Sequence, residues 1–560
     1  MGPLVSPIHE ARSMNPWLFR TGRMLVLVLA VALGSLPVHA QQELRTEAEE
    51  SLFDSFTSHD GMMTYLHAMQ AASPDMRLAS YGKSWEGRDL PFAIFARPMI
   101  TQPWEAIASG KPIILFQTNV HGGERTQRES VLILMRELAT QGTEMNAYLD
   151  DVVLLVVPQI NPDGFEAQPR ATRGNAWGID LNRDYIKLEQ PEIRNLVTNL
   201  YHRWYPHVIV DGHNGGARPY NIMYITASNA SVNQGIMDLS NFELFQHLRE
   251  RNEEAGLKAF WYPRGNAEFW GNAPHYPRIG MTYASFMNSL GMTFESPGQP
   301  LATGVQSGVI TYGAVIEYVV NNSERVISTV ENARRETIEM GLTPGLDVMV
   351  DMRQVDHDFT VSYEIPDPDN QGEFITIEEG RLRTKPEVTR SRERPWAYVL
   401  PRDALDAVAF LRQHNITVEV LREPATVDLQ AYTLADISYR REYNHEGAVR
   451  VEVGEVLNIE RTLPRGTFIV PTAQVMGRLV AHLLEPETDD NVVLWGRMNQ
   501  LLPTARLQAA AGGARGAGGD PPPPALIPIF KIMEQTPLPT ELLFDHGPVP
   551  THRQPLGIGR

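Results

Sequence analysis

Four short runs of apolar residues stand out in the first three hundred positions. They are "KPIILFQTNV" at 111–120, "DVVLLVVPQI" at 151–160, "PHVIVDGH" at 206–213 and "GMTFESPG" at 291–298. Continuous runs of this length suit strands covered on both faces. Between them the period changes. Val131, Leu134, Met135 and Leu138 fall at i, i+3, i+4 and i+7, so a helix follows the first run. "QPEIRNLVTNLYHRW" and "NFELFQHLRERNEEAG" supply two more helices, and "HDGMMTYLHAMQAAS" an earlier one. "RLASYGKSWEGRDLPFAIFARP" reads as two strands joined by a glycine turn. Strands alternating with helices predict an α/β fold, a mostly parallel, twisted mixed sheet with helices on both faces. Ligands of such sheets bind at the carboxyl ends of strands, and His121, Asn161, His213 and Glu295 all lie at or just after such ends.

The segment "GAVIEYVVNNSERVISTVENARRETIEMG" reads as one or two long helices closing this unit near residue 345. The texture then changes. "DFTVSYEIPD", "EFITIEE" and "GRLRTKPEV" are strand-like, "WAYVLPRDALDAVAFLRQHNITVEVL" is a strand–helix–strand unit, and "TFIVPTAQVMGRLVAHLLEPE" adds a strand and a helix. These divide the chain into a first α/β region at 45–345 and a smaller mixed α/β accessory region at 350–505. An Ala/Gly/Pro-rich linker or loop at 506–527 and a C-terminal segment at 528–560 follow.

Composition narrows the function. The net charge is −18 and there is no large basic block, which argues against a nucleic-acid partner. Arg20 and Arg23 precede "MLVLVLAVALGSLP", and "VHA" at 38–40 resembles a small-residue cleavage site. Residues 1–40 therefore read as a signal peptide, with an uncleaved anchor as the alternative. A cut signal implies an exported protein, periplasmic or secreted, with no stable membrane insertion. The chain has no cysteine, so any metal must be held by histidine and carboxylate.

His121 and Glu124 sit three apart on a glycine turn, "HGGE". A histidine and a carboxylate on one turn can share a metal. A catalytic zinc site needs three protein ligands and an open position, and His213 is the best third donor because it also follows a buried strand.

More specific signals follow: "NPDGF", then R-x-x-R-x-N at 170–175, then "GIDLNRDY" at 178–185. With HGGE, D-x-H and "TFE", this order and spacing resembles the carboxypeptidase A-like zinc metallocarboxypeptidases across residues 121–295. The resemblance implies one Zn2+ per chain held by His121, Glu124 and His213, with Asp180 orienting the first histidine. It implies that Asn182 and Arg183 grip the free C-terminal carboxylate of a peptide substrate. It matches Arg170 to the arginine that stabilises the developing oxyanion, with Arg173 three residues on as the alternative. Glu295 matches the general base that activates a metal-bound water, with Glu317 as its competitor. The family's mobile tyrosine has no ungapped match. Tyr276 and Tyr283 are the candidates, and Tyr276 is assigned to substrate binding. Gly280 falls at the side-chain selectivity position, and Asn214 stands where family members have a serine. His202 and His207 read as helix and loop residues rather than ligands. The implied activity is hydrolysis of C-terminal peptide bonds. An amidase acting on cell-wall peptides or N-acyl amino acids, and an inactive binding protein, are the alternatives.

Overall fold

The computed structural model describes residues 44–271, 273–442, 445–504 and 523–544. The signal segment and most of the Ala/Gly/Pro-rich stretch lie outside the described residues.

The first strands are β1 (Met76–Lys83), β2 (Asp89–Phe95), β3 (Ile113–Thr118), β4 (Val153–Val157) and β5 (Val208–His213). They are followed by β6 (Ile222–Thr226), β7 (Ala259–Trp261), β8 (Arg264–Gly265), β9 (Phe269–Gly271) and β10 (Leu290–Glu295). Eight of these form one mixed sheet in the order β1-β2-β4-β3-β5-β10-β6-β7. Its centre, β4-β3-β5-β10, is parallel throughout. The apolar runs explain this. Every residue of β3, β4, β5 and β10 is buried, as expected when helices cover both faces. Each buried Val, Leu or Ile contributes about 1.5–3 kcal/mol relative to exposure. The helix predicted after β3 spans Thr126–Ala139, and its apolar stripe is fully buried. The closing segment forms two helices, Leu301–Asn321 and Ser323–Met340.

β6 and β7 extend the sheet beyond β10, and neither was expected from the sequence. β6 is buried along its whole length but only five residues long, too short for its apolar character to stand out.

Beyond residue 345 the strands are long and mostly antiparallel. A seven-stranded sheet is built around a hairpin of Ala425–Glu442 and His445–Leu463. Its core gathers Val399, Leu429, Ile469 and Phe530. The hairpin was also missed. The first half of Ala425–Glu442 carries the buried positions and the second half is largely exposed, so no single period runs through it. The later part of the chain is hydrogen-bonded into the earlier part. Arg381–Arg383 runs parallel to β9, residue against residue. Among the described residues no helix is long and apolar enough to cross a membrane.

Candidate active site

Three strand ends converge. β3 leads into His121 and Glu124, β5 ends on His213 and β10 ends on Glu295. His213 and Glu295 are partners in the parallel register of β5 and β10. Side chains in register on neighbouring strands emerge on the same face, which sets the two groups side by side.

The HGGE turn is held by its surroundings. Asn119 donates through Nδ2 to the carbonyls of His121, Gly122 and Glu124. Asn214 ties the turn to β5. Its backbone N–H donates to Glu124 Oε2 at 3.1 Å, and its side chain accepts from the Thr126 N–H at the start of the following helix. The residue that departs from the family pattern thus links the turn, the helix and the third strand end.

His121 Nδ1 lies 2.9 Å from Glu124 Oε1, and His213 Nδ1 lies 2.9 Å from Glu124 Oε2. The two Nδ1 atoms are 3.1 Å apart. Both rings thus turn the same nitrogen to one point beside a carboxylate, a donor set of two N and one O that suits zinc. The far nitrogens have carboxylates of their own. His121 Nε2 meets Asp180 Oδ1 at 3.0 Å, and His213 Nε2 lies 3.0 Å from Asp211 Oδ2. A carboxylate behind a ligating imidazole fixes its tautomer and raises its basicity.

The electrostatics follow the same layout. Burial pushes the Glu124 carboxyl up, but hydrogen bonds and charge from His121 and His213 hold it well below the usual carboxylate range. Asp180 behaves likewise: burial is outweighed by His121, Arg173 and Arg183. For His213, burial favours the neutral ring, yet Asp211 and Glu124 raise its pKa well above the ordinary histidine value. Glu295 is buried, and the positive charges of His213 and Arg173 do not offset the cost. Burial lifts its carboxyl to about 8, the positive charge of His213 lowers it, and Glu124 and Asp211 add to the rise.

Asn182 and Arg183 form a short 3-10 turn capped by Asp180, whose Oδ1 accepts from the Asn182 N–H. Asn182 Nδ2 faces His213 Nε2 at 3.4 Å, and its Oδ1 accepts from the Gly280 N–H at 2.9 Å. A Cβ on Gly280 would stand 2.8 Å from the Tyr185 ring, so this position has no room for a side chain.

The two arginines of the R-x-x-R motif are placed differently. Arg170 does not reach the cluster. It lines an open cavity of about 540 Å³ with Asp54, Phe56, Arg125 and Phe165. Arg173 reaches it instead, 3.0 Å from Glu124 Oε1 and 3.0 Å from Asp180 Oδ2. The reason is the path of the loop. The Thr172 carbonyl accepts from the Gly123 N–H, so the chain crosses directly over the HGGE turn and delivers the next residue to it. Tyr276 stacks on His275 and lies over the Arg278 guanidinium, among apolar neighbours around Ile225 and Ile279. Tyr283 is fully buried and hydrogen-bonded to His202 and His414. Tyr262 packs against the same apolar cluster as Tyr276 and feels the charge of the site. Burial raises its pKa first, and the charges of Glu295 and Glu124 raise it further, to about 12.

The remaining candidates stay outside. Glu317 is paired with Arg251 and His247 on the helix Leu301–Asn321. His202 bonds Tyr283, and His207 Nδ1 accepts from the Ile113 N–H. Both rings are pushed down to about 3, by burial first and then by neighbouring positive charge.

Asp211 and Tyr262 were missed from sequence. Asp211 was visible in principle: D-x-H on a strand puts the two side chains on one face. Tyr262 carried no such signal, because it follows β7, a strand the sequence did not disclose.

A family model described as zinc carboxypeptidase matches residues 62–225, a span that holds His121, Glu124, Asp180, Asn182, Arg183 and His213. The chain is 26% identical over 449 residues to carboxypeptidase 2 of Trichophyton tonsurans, covering 74% of this chain and 79% of that protein. Residues 62–225 thus carry a zinc carboxypeptidase domain. Over 145 residues the chain is also 30% identical to the carboxypeptidase N catalytic chain of Homo sapiens, 23% of this chain and 30% of that one. Among solved structures, a metallo-carboxypeptidase from Pseudomonas aeruginosa matches with a TM-score of 0.38 and 21% identity, over 48% of this chain and 70% of that one. The family-model match and the curated relatives support a metallocarboxypeptidase hydrolase, and the His121–Glu124–His213 group is a fitting place for the metal.

Proposed function

We propose that the protein is an exported carboxypeptidase that removes C-terminal residues from peptides with one zinc ion held by His121, Glu124 and His213. The observation that carries this reading is the register of β5 and β10, which stands a buried carboxylate, Glu295, beside the ligand set. Zinc bound there supplies Lewis acidity and lowers the pKa of a coordinated water. Asp180 and Asp211 orient the two imidazoles. Glu295 accepts the proton of the attacking water and passes it to the leaving amine; burial holds its pKa high, where a carboxyl is a usable base and acid near neutrality. Arg173, at the cluster where Arg170 is not, stabilises charge on the substrate carbonyl oxygen. Asn182 and Arg183 receive the terminal carboxylate, which an arginine fork can bind through two parallel hydrogen bonds. Export rests on the apolar leader at 1–40.

A peptide and its C-terminally amidated twin test the reading. The amide cannot take the bidentate contact, and charged hydrogen bonds contribute roughly 1.5–3 kcal/mol. The amidated peptide is expected to be cut at least about ten- to hundredfold more slowly, at 1.4 kcal/mol per factor of ten. Arg183→Ala should remove most of that difference by slowing the free acid alone. Equal cleavage of both twins by the native enzyme would refute exopeptidase action.

A further inference from the structure

We propose that the C-terminal part of the chain is a working wall of the substrate site, with Asp490 as a positioning residue for Asn182. The proposal rests on the carboxypeptidase reading above, in which Asn182 meets the terminal carboxylate.

The link is the loop at 273–280. Its last residue, Gly280, donates its N–H to Asn182 Oδ1 at 2.9 Å. Most of what fixes this loop comes from beyond residue 345. Ala273 is held at both its N–H and its carbonyl by the Gln354 side chain. His275 faces Asp489 at 3.8 Å. Arg278, only 1% exposed, donates its backbone N–H to Asp490 Oδ2 at 3.1 Å, and its Nε lies 2.9 Å from Asp490 Oδ1. Its Nη1 meets Glu442 at 3.0 Å, and its guanidinium lies 5.3 Å from the Trp495 ring centroid. Trp495 Nε1 in turn donates to Asp490 Oδ1 at 3.2 Å. Asp490 itself is fully buried.

A buried arginine is kept only where carboxylates and good hydrogen bonds meet it. Here those partners grip both the backbone and the side chain of Arg278, two residues before the N–H that holds Asn182. The rest of the loop presents Tyr276 over the same guanidinium, so one carboxylate fixes both the loop path and the tyrosine. Tyr283, three residues beyond Gly280, is held from the same side by His414. The C-terminal part therefore sets the end of the site that reads the substrate terminus, and leaves the metal end to β3 and β5.

The test uses the full-length zinc-loaded enzyme. Asp490→Asn keeps the shape and one acceptor oxygen and removes the charge. We expect KM for a free-acid peptide to rise about tenfold with kcat within about threefold. Bound zinc should be unchanged, and the Gly280 amide should exchange its hydrogen at least about tenfold faster. A residue that only added stability would lower the melting temperature and leave KM and Gly280 exchange alone. If Asp490→Asn does not fold, Glu442→Gln, which loosens one guanidinium arm, should show the same pattern at about threefold. Unchanged KM and unchanged Gly280 exchange in a folded, zinc-loaded variant would overturn the proposal. If the native enzyme cuts acid and amide twins equally, the carboxypeptidase reading fails instead, and Gly280 exchange still decides whether Asp490 holds the loop.

Discussion

Arg170 and Arg173 show how much three residues matter. Both are arginines of one R-x-x-R motif, and both suit an oxyanion chemically. Only Arg173 lies against Glu124 and Asp180, while Arg170 faces another cavity. Arg173→Gln should lower kcat about 10²–10³-fold, the scale for loss of one oxyanion donor. Arg170→Gln should leave kcat within about threefold of native on the same peptide. Steady-state kinetics on both variants decides the matter, and the reverse ranking would return the role to Arg170. The distinction is local and electrostatic: a guanidinium acts on developing charge only from a few ångströms away.

The glycine turn is what lets a strand end carry two ligands. Its two glycines differ sharply. A Cβ on Gly122 would lie 2.2 Å from the backbone of Gly164, atoms that cannot step aside. A Cβ on Gly123 would find nothing nearer than 3.9 Å. Gly122→Ala should therefore cost at least about 3 kcal/mol and most of the bound zinc, because the turn must leave its seat on the 161–165 segment. Gly123→Ala should stay within about 0.5 kcal/mol of native. Chemical denaturation and metal analysis of the pair give the answer, and equal stability of the two variants would contradict this packing account. The same turn explains the helix Thr126–Ala139, whose first N–H is capped by Asn214, the residue after β5. Turn, helix start and third ligand strand are thus one construction.

The whole molecule carries buried carboxyls away from the active site, and Glu192 gives the clearest consequence. It is 0% exposed and its Oε2 has no hydrogen-bond partner. Burial lifts its pKa to about 7, the charge of Asp163 adds to the rise, and the Trp85 N–H works against it. A carboxyl raised in the folded state holds its proton there after the unfolded chain has lost it. Its contribution is therefore intact below about pH 4.5 and is lost as pH rises through about 7. Glu192→Gln has no such proton to lose. The variant should gain on the native enzyme by roughly 3 kcal/mol between pH 4.5 and 7, at 1.36 kcal/mol per pH unit. Urea midpoints at pH 5 and pH 8 measure it, and parallel shifts of both proteins would count against a buried, proton-holding Glu192.

What the amino-acid order determined by itself was the part written in contiguous pattern. Four apolar runs specified the central strands, because a strand covered on both faces must be apolar at every position. The HGGE, GIDLNRDY and TFE motifs marked His121, Glu124, Asp180, Asn182, Arg183 and Glu295, since each lies beside a turn or strand end that its neighbours announce. Only the tertiary structure decided what depends on distance between remote segments. It put Arg173 rather than Arg170 over the turn, set Asp211 behind His213, and placed Tyr262, at the end of a strand too short to be seen, where the charge of Glu295 reaches it. It also fastened Arg278 to Asp490, 212 residues away, along a path no local period records. Short-range periodicity encodes which face of an element is buried. It does not encode which remote side chain meets that face, because that is fixed by the summed packing of the whole sheet and its long connections.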